Sequence, residues 1–513
     1  MGAGIAQVAA TAGHRVLLID LRAGTAQSAI ERIAGSLRRL AAAQKISEHE
    51  AFAIPARIRA ADSLRDFAEC GLVIEAVVED LDTKRAVFRE VESIVSAQAL
   101  LASNTSSLSI TAIAAALQRP ERLAGMHFFN PAPRMPLVEI VAGAATSSAV
   151  LDTLHATARA WGKTPVHARS TPGFIVNRVA RPYYAEALRL LEEQAADCAT
   201  IDAVLRECGG FRMGTFELMD LIGNDVNYAV TRSVFDGFYG DPRFKPSVLQ
   251  LELVQAGFLG RKSGRGFYRY ESGKAIAAPA TAPPASAPGA IRVHAHTPAA
   301  EALAQRLARA GIPFSAMEPH RDQRIASCRD CVLYRSDGRT ATARAAATGI
   351  ADTVVVDLLF DAEAATRIAI APADQAAPQA LQTAIGLLQA AGYSVSVVAD
   401  TPALIVLRTV AMLANEAADA LNQGVCSAAD LDLAMCLGVH YPQGPLRWAD
   451  TLGLNSVLQV LDTLAAWYGE DRYRASPLLR RKAITHSTFT AAAAHCDLEA
   501  HAVQTCQMVR GEV

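Results

Sequence analysis

The sequence predicts a doubly wound α/β domain joined to an all-α domain, then a degenerate second α/β segment with its own all-α partner. Three observations carry this. From residue 1 to about 170, short apolar runs alternate with amphipathic helical stretches, the pattern of a sheet with crossover helices. Thr171-Pro172-Gly173 breaks the pattern, and helices with short loops follow to about Tyr270. Shifting the first helical region by 230 positions lays it on the region after residue 400 without a gap for about fifty residues, which marks an internal repeat.

Taken in order, the strands expected in the first domain (residues 1–170) are Arg15–Asp20, Leu72–Ala76, Leu100–Ser103, Leu123–His127, Val138–Val141 and Thr164–Val166. Between Arg22 and Lys45, Ile30, Ile33, Leu37 and Leu40 recur at helical spacing and give a long helix with Arg38 and Arg39 on its outer face. The helical domain covers 171–270. Residues 271–290 are rich in Ala and Pro and read as an extended tether within a linker spanning 271–298. A degenerate α/β segment at 299–400, with strands at Thr353–Asp357 and Arg367–Ile370, leads to a second helical domain at 401–505. The repeat pairs Thr171-Pro172 with Thr401-Pro402, Arg178 with Arg408, and Asp220 with Asp450.

A chain of 513 residues suits three or four domains at roughly 150 residues each. With 49 Lys and Arg against 51 Asp and Glu, it offers no broad electrostatic reason to bind nucleic acid or an anionic membrane. No apolar run reaches the roughly 18 residues of a membrane span. Nine cysteines, an odd number without a secretory leader, suggest reduced thiols in a cytosolic protein. Cys328 and Cys331 form the only CxxC, and without a second ligand pair no metal site is expected.

The segment MGAGIAQVAATAGHRVLLID reads as the helix after a phosphate-binding turn, then a strand ending at Asp20. A carboxylate there can accept both ribose hydroxyls of the adenosine half of NAD and repel the 2′-phosphate of NADP; it can equally be a polar strand end. Gly2 supplies only the last glycine of a GxGxxG fingerprint, so the first strand of the sheet is expected to be missing at the N-terminus. Two accounts follow: the start lies inside the fingerprint of an active enzyme, or the chain is a catalytically impaired binding or assembly protein.

His127 ends an apolar strand where a doubly wound sheet places its ligands. A lone histidine usually needs no functional explanation, but twelve residues on, Glu139 lies in Pro136-Leu137-Val138-Glu139-Ile140-Val141, where alternation points one carboxylate inward. A buried glutamate demands a partner, and an imidazole suits it. Ser103-Asn104-Thr105-Ser106-Ser107 brings hydroxyls and an amide to the same sheet edge, as a site or as a turn and helix cap. Asn177 is the one amide in Pro172-Gly173-Phe174-Ile175-Val176-Asn177-Arg178.

Together MHFFNPAPRMPLVEIV, SNTSSLSI, TPGFIVNR and GRKSGRGFYRY resemble the 3-hydroxyacyl-CoA dehydrogenase family in order and spacing, from residue 1 to about 270. The resemblance implies a Rossmann-type NAD-binding domain and His127 as catalytic base with Glu139 as its partner. It implies Ser106 and Asn177 near the substrate oxygen and nicotinamide, and NAD contacts by Gly2, Asp20, Glu79, Lys84, Ser106, Asn130 and Lys262. Coenzyme A contacts by Ser36, Lys45 and Ser106 follow from the same likeness. Asn177 is expected to reach the site across a domain junction, so that catalysis depends on domain closure.

The long form resembles bacterial enzymes of phenylacetate breakdown that oxidise 3-hydroxyadipyl-CoA, with 3-hydroxybutyryl-CoA, as in fatty acid β-oxidation, the close alternative. A related NAD-dependent hydroxy-acid or sugar-acid dehydrogenase also stays open. In shorter members of the family the helical domain makes a homodimer, so the second copy is expected to dock on the first internally; a homo-oligomer is compatible with this. The offset puts Leu407 opposite Asn177 and no HFFNP segment lies in 300–400, so the second copy is not expected to be an active site.

Overall fold

The computed structural model describes residues 1–275, 277–295, 297–320 and 322–490, so residues 491–505 of the expected second helical domain lie outside the described residues. The chain divides into two compact units. Unit 1 takes residues 1–176 and 424–439; unit 2 takes 177–423 and 440–489.

Unit 1 contains seven strands: β1 (Val16–Leu18), β2 (Ile58–Ala60), β3 (Leu72–Glu75), β4 (Leu100–Ser103), β5 (Leu123–Phe128), β6 (Leu137–Ala142) and β7 (Thr164–Arg169). β3 to β7 lie side by side in chain order. β3, β4 and β5 run parallel, β6 is antiparallel to β5, and β7 is parallel to β6. β1 and β2 pair in parallel as a separate sheet. Helix Gly2–Thr11 is apolar on both sides, and each side has a core: Ile5 and Val8 pack with Met126, Phe128 and Ile140, while Ala6 and Ala10 pack with Ile33, Leu37 and Ile58. Such a sequence belongs inside a fold, between two layers. The long helix expected after Arg22 spans Thr25–Ala42 and buries Ile33 and Leu37.

Helix Ala428–Val439 joins unit 1 although it lies far along the chain. It packs on β6 and β7, and just before it the Val425 carbonyl accepts the Arg169 amide at 2.8 Å, covering an edge that would otherwise be open to pairing. A Cβ at Gly438 would fall 2.8 Å from Leu137 Cδ2 and 3.0 Å from Val176 Cγ2, so a larger residue there has to displace those side chains.

Unit 2 holds the two-stranded β8 (Tyr270–Glu271) and β9 (Lys274–Ala275), and a seven-stranded sheet. The latter comprises β10 (Arg292–His294), β11 (Ser315–Met317), β12 (Arg324–Ser327), β13 (Val332–Arg335), β14 (Thr353–Val356), β15 (Arg367–Pro372) and β16 (Ser394–Val397), in the order β11-β10-β12-β13-β14-β15-β16. From β13 to β16 the directions run parallel, antiparallel, parallel, as from β4 to β7. The stretch expected to be an extended tether is extended, and it is bound along its length: Ala282 donates to the Val395 carbonyl at 2.7 Å, Ala285 to Gln389 at 2.8 Å, and Ser396 to the Ala280 carbonyl at 2.7 Å. β10 also begins inside the expected linker. Backbone groups that lack a helix or strand of their own find partners on a neighbouring element.

Helix Val406–Asn422 is buried at every residue from Val406 to Ala420 and packs against helix Arg181–Glu192. Four arginines cross this contact. Arg178 meets Glu416 at 2.6 Å and Arg408 meets Glu186 at 2.8 Å, while Arg243 and Arg472 approach the same two glutamates at 3.0 and 2.9 Å. Residues 178 and 186 are related to 408 and 416 by the same 230-residue offset, so the pairing is reciprocal. Burial alone would raise the Glu186 carboxyl, but Arg472 and Arg408 outweigh it and hold it below the usual range.

Gly438→Val should lower the stability of unit 1 by about 1–3 kcal/mol, the usual cost of overpacking. Hydrogen exchange should localise the loss to β6 and β7; unchanged protection there would contradict the role assigned to helix Ala428–Val439.

Candidate active site

β5 and β6 are antiparallel with His127 directly opposite Glu139. His127 Nδ1 lies 2.6 Å from Glu139 Oε2, and the Glu139 side chain is 0 % exposed. Its other oxygen accepts the amides of Ile175 and Val176, each at 3.0 Å. With the carboxylate accepting from Nδ1, the neutral imidazole carries its proton there and leaves the Nε2 lone pair outward. Phe129 and Phe174 flank the ring at centroid distances of 4.6 and 5.9 Å. A histidine held this way can take a proton at Nε2 while the carboxylate stabilises the resulting cation.

The 103–107 loop follows β4 and is gathered around two carboxylates. Ser103 donates to Glu75 at 2.7 Å. Glu79 Oε1 accepts the Thr105 hydroxyl at 2.6 Å, the Ser106 amide at 2.9 Å and the Ser107 amide at 3.0 Å. Lys84 lies beneath, 1 % exposed, 2.7 Å from Glu75 and 3.3 Å from Glu79. Burial would raise the Glu79 carboxyl, yet the Thr105 hydroxyl, Lys84 and the Ser106 and Ser107 donors together hold it below its usual value. Asn104 Oδ1 accepts the Phe128 amide at 2.8 Å, which ties this loop to the strand carrying His127.

His127, Glu139 and the residues around Phe174 therefore come together, as do Ser106, Glu79 and Lys84. Asn130 is exposed immediately after β5. Gly2 opens the first helix. Asp20 is exposed beyond β1, where its carboxylate accepts the Arg22 amide at 2.9 Å. Ser36 and Lys45 stand on and just beyond helix Thr25–Ala42. Asn177 and Lys262 belong to unit 2, where Lys262 pairs with Asp225 at 2.6 Å. Glu75 was missed by sequence reasoning, although LVIE ends on an inward carboxylate by the same alternation that singled out Glu139.

Two motifs have structural explanations. GRKSGRGFYRY wraps Asp220, which accepts the amides of Phe267 and Tyr268 at 3.0 Å each; a Cβ at Gly260 or Gly266 would collide with that residue. Cys328 and Cys331 close the turn between β12 and β13, with the Cys328 amide 2.8 Å from the Cys331 carbonyl. Burial raises both thiols, Cys328 to about 11, which makes them poor nucleophiles.

In unit 2, Asp357 stands at the 230-residue offset from His127. It is buried, and its carboxylate accepts the amides of Ile405, Val406 and Leu407 at 3.0, 2.8 and 3.1 Å. Ile405 and Val406 are the offset counterparts of Ile175 and Val176, which Glu139 holds. Burial raises the Asp357 carboxyl to about 6 against these backbone donors.

Three family models match the chain. The 3-hydroxyacyl-CoA dehydrogenase NAD binding domain covers residues 1–171, and the corresponding C-terminal domain matches 173–270 and again 404–492. A 3-hydroxybutyryl-CoA dehydrogenase reduced Rossmann-fold domain matches 333–402. A 3-hydroxyadipyl-CoA dehydrogenase of Escherichia coli K12 is 43% identical over 95% of this chain and 96% of its own length. A 3-hydroxybutyryl-CoA dehydrogenase of Bradyrhizobium diazoefficiens is 40% identical over 54% of this chain and 94% of its own. The crystal structure of a 3-hydroxybutyryl-CoA dehydrogenase from Escherichia coli K12 superposes with a TM-score of 0.85 at 43% identity, covering 94% of this chain and 96% of that one.

Lys84→Met would leave Glu75 buried without its cation. Unit 1 should lose about 3–5 kcal/mol, as expected when one partner of a buried pair is removed; urea unfolding measures it, and a loss below 1 kcal/mol would contradict the pairing seen here.

Proposed function

Since this chain belongs to the 3-hydroxyacyl-CoA dehydrogenase family, we propose that it oxidises the C3 hydroxyl of an L-3-hydroxyacyl-CoA to the 3-oxo product with NAD. The buried His127–Glu139 pair carries the reading. NAD, when bound, accepts the hydride from C3. His127 Nε2 takes the hydroxyl proton, and Glu139 keeps the ring oriented and stabilises the imidazolium. Ser106 and Asn177 hold the substrate oxygen and the nicotinamide end.

The residues present fit the cofactor in kind. An exposed carboxylate, Asp20, follows a parallel strand, and the 103–107 loop and Asn130 lie at the carboxyl ends of β4 and β5, where a doubly wound sheet takes its ligands. Asp20 would receive the adenosine ribose, Gly2 would admit the pyrophosphate, and Glu79, Lys84, Ser106, Asn130 and Lys262 would line the remainder. Ser36 and Lys45 would meet the coenzyme A moiety.

Residues from 299 onward are read as a degenerate copy that acts as scaffold and internal partner. The reciprocal arginine–glutamate pairs and the shared strand directions support this. Asp357 stands where an imidazole would be needed, so this copy is not a second active site. No helix among the described residues is long and apolar enough to cross a membrane, and a cytoplasmic role in acyl-CoA catabolism suits the substrate class.

His127→Ala should cut turnover of a 3-hydroxyacyl-CoA by about 10²–10⁴, the usual worth of a positioned base, with an unchanged circular dichroism spectrum. Near-normal turnover would sink the mechanism. Calorimetric titration with NAD tests cofactor binding separately, and heatless mixing at millimolar concentration would favour an acyl-CoA-binding protein instead.

A further inference from the structure

Eight arginines are buried among the described residues: 122, 178, 181, 243, 344, 367, 408 and 472. Seven have a carboxylate within 3.3 Å. Arg181 has none, although it is only 4 % exposed. Its Nε donates to the Asn177 carbonyl at 2.7 Å and its Nη1 to the Thr231 hydroxyl at 3.0 Å; among the described residues Nη2 donates to nothing. The guanidinium lies over the Tyr184 ring, 4.7 Å from its centroid, a contact that compensates only part of the cost of burying a cation. It also opens helix Arg181–Glu192, the end of a helix that favours an anion.

Two more donors lack acceptors beside it. Tyr441 is buried and its hydroxyl has no hydrogen-bond partner among the described residues, while its ring is fixed against Phe211 and Trp448 at 5.3 and 5.5 Å. Tyr184 is also buried, and its hydroxyl bonds to no described residue. Burial pulls the Arg181 guanidinium below its ordinary value, with the Tyr184 and Tyr441 hydroxyls opposing the shift and no carboxylate contributing. A buried cation without a counter-charge and the buried Tyr441 hydroxyl without a partner are costs that one bound anion would remove together.

We propose that Arg181, Tyr184 and Tyr441 form a carboxylate-binding site that receives the far end of the acyl chain, making the chain selective for acyl-CoA substrates bearing a terminal carboxylate. This rests on the acyl-CoA reading above. Arg181 stands one helical turn beyond Asn177, the residue assigned to the reacting end of the substrate, and holds that residue's carbonyl. A terminal carboxylate would take Nη2 and the two hydroxyls in charge-assisted bonds. Tyr441 comes from the second half of the chain, so that half completes the site as well as supporting it.

Adipyl-CoA and hexanoyl-CoA differ at the chain end as carboxylate against methyl, and neither needs NAD or turnover to be bound. Calorimetry on the full chain should give adipyl-CoA a roughly 10- to 100-fold tighter Kd, from charged hydrogen bonds of ordinary strength. Arg181→Met should collapse that ratio towards one, and Tyr441→Phe should reduce it about 3- to 10-fold, the worth of one hydrogen bond. Arg181→Met should also raise the melting temperature without ligand, because an unpaired buried cation is removed. Equal binding of both ligands, or a ratio that survives both substitutions, overturns the carboxylate site and leaves the dehydrogenase reading standing. Binding of neither ligand overturns the acyl-CoA reading and this proposal with it.

Discussion

A carboxylate sealed from water at the centre of unit 1 sets the terms for the rest of that unit. Glu139 has no exposed surface, and an ionised group so placed is tolerated only when its oxygens are fully engaged. One oxygen is given to His127 and the other to the consecutive amides of Ile175 and Val176. Three constraints meet in one side chain: the register of β5 on β6, the tautomer of the histidine, and the path of the chain as it leaves the sheet for residue 177. Moving the glutamate one position along its strand would turn it to the opposite face and break all three.

Unit 2 meets the same problem with different chemistry. Asp357 binds the amides at 405 to 407 directly, so the corresponding turn is held without a histidine. A shorter acid, 230 positions on from His127, reaches the backbone amides at the positions offset from those that Glu139 reaches in unit 1. Holding the turn that follows the sheet therefore needs a buried carboxylate but no imidazole beside it. The arginine–glutamate cluster between helices Arg181–Glu192 and Val406–Asn422 obeys the same rule: Glu186 and Glu416 each receive two guanidinium groups. The reciprocal arrangement is what a self-complementary surface produces.

Much of this could be read beforehand where the signal was local. β4 has its expected bounds because LLAS is an apolar run closed by a polar residue, and helix Thr25–Ala42 follows the spacing of Ile33 and Leu37. The His127–Glu139 pair was legible because strand alternation places a carboxylate inside and an imidazole within reach. Other elements carry no such mark. β2 is the three-residue IRA with a charge at its centre, and β12 begins on an arginine; their pairing comes from neighbours far along the chain. Helix Ala428–Val439 looks like part of the second helical domain, and its place on β6 depends on contacts at Gly438 that no local pattern announces. The proline-rich stretch read as a tether because its partners, Val395 and Gln389, lie over a hundred residues away.

The arginines show most clearly where sequence reasoning stops. Arg178 and Arg181 are three positions apart, both buried, and chemically identical in the sequence. Arg178 has Glu416 at 2.6 Å and is explained by the fold. Arg181 has a tyrosine ring, a carbonyl and a hydroxyl, and no negative charge. A cation with its counter-ion built in supports packing, whereas one without it costs stability for as long as the site stays empty. Proteins carry such costs mainly where a ligand repays them. The distinction between a structural and a functional arginine is thus a distinction between neighbours, and only the folded chain supplies the neighbours.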